Sequence, residues 1–210
     1  MTTPLLSILI PTYNQEELAI RALDSIPRRE DIEVIVSDDC STDCTWDNVR
    51  RFADQHPGMN IKLFRNEQNL GCFGNGNVIG TYATGLYTHG LDNDDYLYTE
   101  EYNRVVDSIN GEDAIYMNLQ TNDGTVLDVT AETRNLYCAP ITRIVRREFV
   151  KDIHFKIIEN EMPDWYYNLD FVARNPVSKF TRIVAYHYNY PRYGSVSEIY
   201  RRTGRWRSDA

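Results

Sequence analysis

Asp92, Asp94 and Asp95 put three carboxylates into four positions of the stretch THGLDNDDYL, residues 88–97. Like charges this close raise one another's pKa unless something positive sits among them. Capping a following helix would use one side chain of the three. Three together favour a metal ion. An EF-hand loop reads D-x-[DN]-x-[DN]-G, and here Tyr96 and Leu97 stand at its fifth and sixth positions, so that pattern fails. A small set of oxygen ligands suits Mg²⁺ or Mn²⁺, held by one or two carboxylates together with the phosphates of a substrate. The chemistry this predicts is work on a nucleotide that carries a diphosphate.

Side chains of this kind must be delivered by something rigid. The run LLSILI (5–10), stopped by Pro11, reads as a buried strand. Helical spacing of Ala19, Ala22, Leu23 and Ile26 follows and ends at Pro27. A strand at 33–37 delivers a second acidic pair, Asp38–Asp39, and a helix with Trp46, Val49 and Ala53 on one face comes next. A third strand at 61–65, a polar Gly-rich loop over 66–77, the end of a short helix, and a fourth strand at 86–91 complete the first half. This alternation predicts a parallel sheet with helices on both faces. Ligands of such sheets bind beyond the carboxyl ends of the strands, where both acidic clusters stand.

The second half is less regular. A helix is expected over 100–109, a strand over 114–119, an Asp-Gly hairpin at 121–125, a helix over 163–174 with Trp165, Leu169 and Val172 facing the core, and a strand over 180–190. No repeat or low-complexity linker divides the chain, so its 210 residues read as a single domain, with residues 1–100 as one half and 101–210 as the other. A net charge of −9 argues against a broad grip on nucleic acid. No run approaches the ~20 apolar residues of a membrane helix, and the first residues run straight into a strand pattern rather than a signal peptide. Cys40, Cys44, Cys72 and Cys138 lack a second pair at zinc spacing and read as reduced thiols of a cytoplasmic protein.

Four blocks occur in order: SILIPTYNQEELAIRALDSI, EVIVSDDCSTDCT, NEQNLGCFGNGNVIG and HGLDNDDYL. Together they resemble the N-terminal half of family 2 glycosyltransferases of the GT-A fold, closely over residues 5–100 and loosely beyond. The resemblance implies an α/β class, a Rossmann-like mixed sheet flanked by helices, and sugar transfer from a nucleoside diphosphate to an acceptor hydroxyl with inversion, as in polysaccharide biosynthesis. It implies that Pro11, Thr12, Tyr13 and Asn14 border the nucleobase and ribose, with Asn77 in the third block also on the donor side. Asp39 would bond the base, the usual arrangement for uracil. Asp92 would lie toward the ribose and Asp94 would ligate Mn²⁺ or Mg²⁺, with Asp95 assisting or replacing it. Relatives often carry Arg where Gly76 stands here.

The general base in relatives is an acidic residue at the start of a helix in the second half. Asp164 matches it, with Pro163 in place of the usual Glu; Glu161 is the reserve and Asp170 a weaker candidate. A helix N-terminus also favours a carboxylate such as Asp164 without any catalytic role. In the segment 186–197, His187 reads either as a metal or phosphate contact or as an ordinary strand histidine. Arg192, Ser195 and Ser197 read as phosphate donors, Arg192 equally as a surface arginine. Three other classes compete. A nucleotidyltransferase would need a Gly-rich loop after the first strand, where PTYNQ stands. A catalytically silent UDP-sugar-binding protein would bind without turnover. A glycosyltransferase acting on a modified DNA base would need a basic surface, for which only the tail Arg201–Arg207 offers charge.

Overall fold

The computed structural model describes residues 3–134, 139–158 and 163–192. Its first half runs β1 (Leu6–Thr12), α1 (Glu16–Asp24), β2 (Ile32–Asp38), α2 (Thr45–Gln55), β3 (Asn60–Arg65), α3 (Gly71–Ile79) and β4 (Tyr87–Gly90). The second runs β5 (Tyr96–Leu97), α4 (Thr99–Asp107), β6 (Ala114–Thr121), β7 (Val126–Leu127), β8 (Arg143–Arg146), α5 (Arg147–Val150), α6 (Pro163–Ala173) and β9 (Ser178–Tyr188). Among the described residues these strands form one mixed sheet in the order β3-β2-β1-β4-β8-β6-β9-β5, with β7 on β6. β1 is parallel to β2 and β4, and β2 to β3; β8 reverses direction against β4 and β6, and β5 against β9.

Every residue of β2 is buried, as expected of a parallel strand covered on both faces. Its alternate side chains separate the layers. Val34 and Val36 cluster with Ala19 and Leu23 of α1 and Val49 and Phe52 of α2, whereas Ile35 clusters with Ile79 of α3. Helices thus flank both faces, and the β1–β4 half matches the sequence expectation.

Three expectations change. The stretch 66–77 is not all loop: α3 begins at Gly71, and it is held by a polar anchor that apolar periodicity cannot show. Asn75, 2% exposed, accepts from Ser37 Oγ and Asn66 Nδ2 and donates to the Ser37 carbonyl. In α2 the buried face is Thr45, Val49 and Phe52; Trp46 instead lies beneath the Arg65 guanidinium, 5.6 Å from it. In α6 the core face is Pro163, Asn168 and Phe171, while Trp165 and Leu169 are 45% and 46% exposed. Apolar residues surround α6 on all sides, so its rotation is set by ring contacts: Phe149 on Phe171 and Phe155 on Tyr167.

The sheet is tied at its opposite end by Glu33, fully buried on β2. Lys62 Nζ donates to it at 2.6 Å, and Ser7 Oγ, Thr84 N and Oγ1, and Gly85 N donate as well. Gly85 must be glycine here, because a Cβ would stand 2.7 Å from Ser7 Oγ. Burial would raise the Glu33 carboxyl, but Lys62, Ser7 and Thr84 together bring it down to about 2 from its ordinary 4.5. Because the folded value is the lower one, this stabilisation is present above pH 4.5 and is lost as the pH falls toward 2. Lys62→Met leaves the buried charge without its cation. Discounted for the 37% exposure of the lysine side chain, the expected loss at pH 7 is about 2 kcal/mol, read by urea denaturation; a loss below about 0.5 kcal/mol would show that the donors from Ser7, Thr84 and Gly85 suffice.

Candidate active site

The β1–α1 and β2–α2 turns are stitched together at the carboxyl edge. Asn14, with φ of 49°, accepts at Oδ1 from Thr42 N at 2.9 Å, and its own N–H donates to Ser41 Oγ at 3.0 Å. Thr12 is buried and accepts from Asn93 Nδ2 at 2.9 Å, which joins this edge to the acidic stretch. Of the four residues Pro11–Asn14, Tyr13 is the exposed one. The Asp39 N–H donates to the Thr12 carbonyl, and its Oδ1 accepts from Asn66 Nδ2 at 2.8 Å and Leu70 N at 2.9 Å. Both carboxylate bonds end on Oδ1, leaving Oδ2 for a ligand. Asp38, beside it, is structural: Arg65 Nε lies 3.2 Å from its Oδ2.

Asp92, Asp94 and Asp95 follow β4, with one ligand atom of each within 4.8 Å of the others. They do not cap α4, which has no side-chain cap. Asp92 is held well above the usual carboxylate range by burial and then by Asp95, Asp94 and Asp164. Burial and Asp94 push Asp95 up to about 7, against the Asn189 N–H, the Tyr186 hydroxyl and Arg21. Carboxylates raised by their own crowding suit a divalent cation. Asp94 is the one with a carboxylate turned to charge, since Arg192 Nη2 stands 2.7 Å from its Oδ2, and Arg21 donates to its carbonyl. Asp95 is 1% exposed, and its two oxygens already accept from Tyr186 Oη at 2.7 Å and Asn189 N at 2.8 Å. Asp94 and Asp92 are therefore freer to ligate than Asp95.

Asp164 opens α6 and faces the same cleft. Its charge acts on Asp92. Although Cys72 is exposed at the rim of α3, its thiol is pushed up to about 12, first by desolvation and then by Asp92, Asp164, Asp94 and Asp39. Asp39, Asp92, Asp94 and Asp164 thus all stand within electrostatic reach of this one thiol. Burial pushes the Asp164 carboxyl up to about 6, and the Arg143 guanidinium opposes the rise.

Other candidates stand elsewhere. His187 is not brought to the carboxylates: its ring stacks on Tyr96 at 4.2 Å, Nδ1 is bonded to Tyr98 Oη and Nε2 to Asn122 Oδ1. Neither nitrogen is left for a metal, because β9 pairs His187 with Tyr96 across the strand. Asn77 clamps a backbone, accepting from Phe155 N at 2.8 Å and donating to Phe155 O at 3.0 Å. That clamp explains Gly76: a Cβ there would lie 3.2 Å from the Phe155 ring, which fills the space an arginine would use. Asp170 pairs with Lys156 at 2.7 Å. Glu161, Ser195, Ser197, Cys138 and the tail Arg201–Arg207 lie outside the described residues. Sequence reasoning missed Tyr186, whose hydroxyl bridges Asp92 N and Asp95. It also missed Arg21 and Arg143; Arg21 and Tyr186 lie in stretches already named, but nothing local marks either as a partner of the acidic cluster.

A mixed sheet with an acidic cleft at the carboxyl ends of its parallel strands defines a nucleotide-sugar-type α/β fold. The glycosyl transferase family 2 model matches residues 7–162, and the chain belongs to that family. It is 28% identical over 207 residues to WfaP of Escherichia coli, a UDP-Glc:alpha-D-GlcNAc-diphosphoundecaprenol beta-1,3-glucosyltransferase, covering 92% of this chain and 80% of that one. It is 34% identical over 99 residues to the poly(ribitol-phosphate) beta-N-acetylglucosaminyltransferase TarS of Staphylococcus aureus, 45% of this chain and 17% of that one. The crystal structure of TarS 1-349 with UDP-GlcNAc superposes with a TM-score of 0.74 at 25% identity, over 90% of this chain and 59% of that one. A mannosyltransferase from Pyrobaculum calidifontis in complex with GDP-Man and Mn²⁺ gives 0.73 at 19% identity, over 96% and 61%. The GT-A fold is shared with both. The chain is also 36% identical over 94 residues to the colanic acid biosynthesis glycosyl transferase WcaA of Escherichia coli, and it spans 33% of the length of WcaA and 17% of that of TarS. No helix among the described residues is long and apolar enough to cross a membrane.

Proposed function

We propose that this chain transfers a sugar from a UDP-sugar to an acceptor hydroxyl, with inversion and with a divalent cation. The observation that carries the reading is that Asp39, after β2, and the cluster of Asp92, Asp94 and Asp95, after β4, stand at the same carboxyl edge of the parallel strands, joined there by the Asn93–Thr12 hydrogen bond. Asp39 Oδ2 accepts from the uracil N3–H, with Tyr13 beside the base. Asp92 faces the ribose. Asp94 holds the cation, with Asp92 close enough to share it. When bound, Mn²⁺ or Mg²⁺ neutralises the charge that builds on the leaving diphosphate.

The acceptor oxygen attacks the anomeric carbon as the bond from that carbon to the phosphate oxygen breaks, and UDP leaves with the bonding pair. The acceptor proton passes to the Asp164 carboxylate. One displacement inverts the anomeric centre, so a single base suffices. Arg192, paired with Asp94, exchanges that partner for the diphosphate when the donor enters. UDP is favoured over other nucleotides because WfaP and TarS carry UDP-linked sugars in their names and structures, and because Asp39 suits uracil.

A donor-hydrolysis screen of UDP-, GDP- and TDP-sugars with Mn²⁺ tests this reading without knowledge of the acceptor. Hydrolysis of a UDP-sugar, abolished by EDTA, is the expected result. UDP binding without hydrolysis of any donor would identify a silent binding protein instead. Hydrolysis confined to GDP- or TDP-sugars would overturn the uracil assignment of Asp39.

A further inference from the structure

Arg143 begins β8, pairs across the sheet with Tyr116 and is 1% exposed. None of its Nε, Nη1 and Nη2 atoms has a hydrogen-bond partner among the described residues. Its guanidinium carbon sits 4.4 Å from the Phe171 ring centroid and 5.7 Å from that of Tyr116. Ring faces attract a guanidinium, but five N–H donors without an acceptor are a heavy desolvation cost for a fold to carry. A buried polar group left in this state needs a reason. Two more stand close by in the fold: Tyr116 Oη and, on α6, Asn168 Oδ1, both buried and without a partner among the described residues.

The reason lies on the helix above. Phe171, Asn168 and Asp164 are spaced i, i−3 and i−7, so they share the α6 face that packs toward Arg143. Asp164 stands within electrostatic reach of Arg143 on β8, Tyr167 on its own helix, Asp92 in the turn after β4 and Cys72 on α3. Of these four, Arg143 is the cation. Without it, burial drives Asp164 to hold a proton with nothing to oppose it, and a protonated carboxyl cannot accept another.

We propose that Arg143 is a positioning residue: a fixed positive charge beneath α6 that keeps the Asp164 carboxylate ionised. This rests on Asp164 as the base. Arg143 itself is too buried to touch donor or acceptor. The packing explains why an arginine fits, since its flat guanidinium lies against two rings and leaves its charge directed at the helix rather than cancelled by a paired carboxylate.

The test reads Asp164 directly. With aspartate carboxyl carbons labelled with ¹³C and the Asp164 signal assigned by its loss in Asp164→Asn, the titration midpoint is followed by NMR. Arg143→Met, which keeps much of the volume and removes the charge, is expected to raise the midpoint by at least about one unit; Arg143→Lys is expected to restore most of that shift. With UDP-glucose and Mn²⁺, Arg143→Met is expected to lower kcat for UDP release about twofold at pH 7 and about tenfold at pH 5, with KM within about twofold. It is expected to add nothing in the Asp164→Asn background. An unmoved midpoint, or an equal fall in kcat in both backgrounds, overturns the proposal. If Arg143→Met does not fold, Phe171→Leu removes a ring face that holds the guanidinium, and a midpoint unchanged there overturns it too. If Asp164→Asn keeps full turnover, the base assignment fails, while the NMR midpoint still decides whether Arg143 governs Asp164.

Discussion

Asp164→Asn is expected to lower single-turnover transfer by two to four decades, the usual contribution of a positioned base, while UDP binding in Mn²⁺ stays within about twofold. The substitution keeps the side-chain shape and removes the lone pair that takes the proton. The neighbouring carboxylate Asp170 provides the control. It sits nearly two turns further along α6 and pairs with Lys156, so Asp170→Asn is expected to change turnover by less than about threefold. The pH profile adds an independent mark. A carboxyl pushed up to about 6 must lose its proton before it can act, so kcat/KM with saturating Mn²⁺ is expected to fall about tenfold per pH unit below that point. Asp164→Asn is expected to abolish this limb. If Asp164→Asn keeps most activity and Glu161→Gln loses it, the base is Glu161.

What the sequence disclosed and what it withheld divide along one physical line. The strands β1 to β4 and the acidic ends of β2 and β4 were legible because each is a short apolar run followed at once by its chemistry. Parallel pairing then places those ends together without further information. Contacts between distant segments were not legible. Asn77 pairs with the backbone of Phe155, 78 residues away, and this tertiary clamp accounts for both Asn77 and Gly76. The rotation of α6 could not be read from a helix whose apolar residues are not confined to one side; ring packing against Phe149 and Phe155 decides it. His187 is a strand histidine whose nitrogens both find partners, Tyr98 just after β5 and Asn122 just after β6. Arg143 shows the same limit, since one arginine within TRIVRRE carries no mark that distinguishes it from the two that follow.

Asp94→Asn is expected to cut UDP affinity in Mn²⁺ by about two decades, near 2.7 kcal/mol, measured by calorimetry. Groups that merely orient a metal ligand account for ten- to a hundredfold in metal affinity, so loss of a ligand itself belongs at or beyond the upper end. In EDTA the wild-type protein and the variant are expected to bind UDP alike and weakly, because the diphosphate then meets an acidic cleft with no cation to reconcile the charges. Asp92→Asn separates the roles. It keeps the Asp94 carboxylate and is expected to weaken uridine and UDP by similar factors, whereas Asp94→Asn spares uridine. Asp95→Asn tests the remaining member. Its two oxygens are committed to Tyr186 and Asn189, so its amide is expected to lower thermal stability through a lost backbone acceptor more than it lowers the metal dependence. Equal UDP affinity of the wild-type protein in EDTA and in Mn²⁺ would sink the metal reading of all three. In that event the Arg192–Asp94 pair would gain a different meaning: the arginine would be the cation that the crowded carboxylates require.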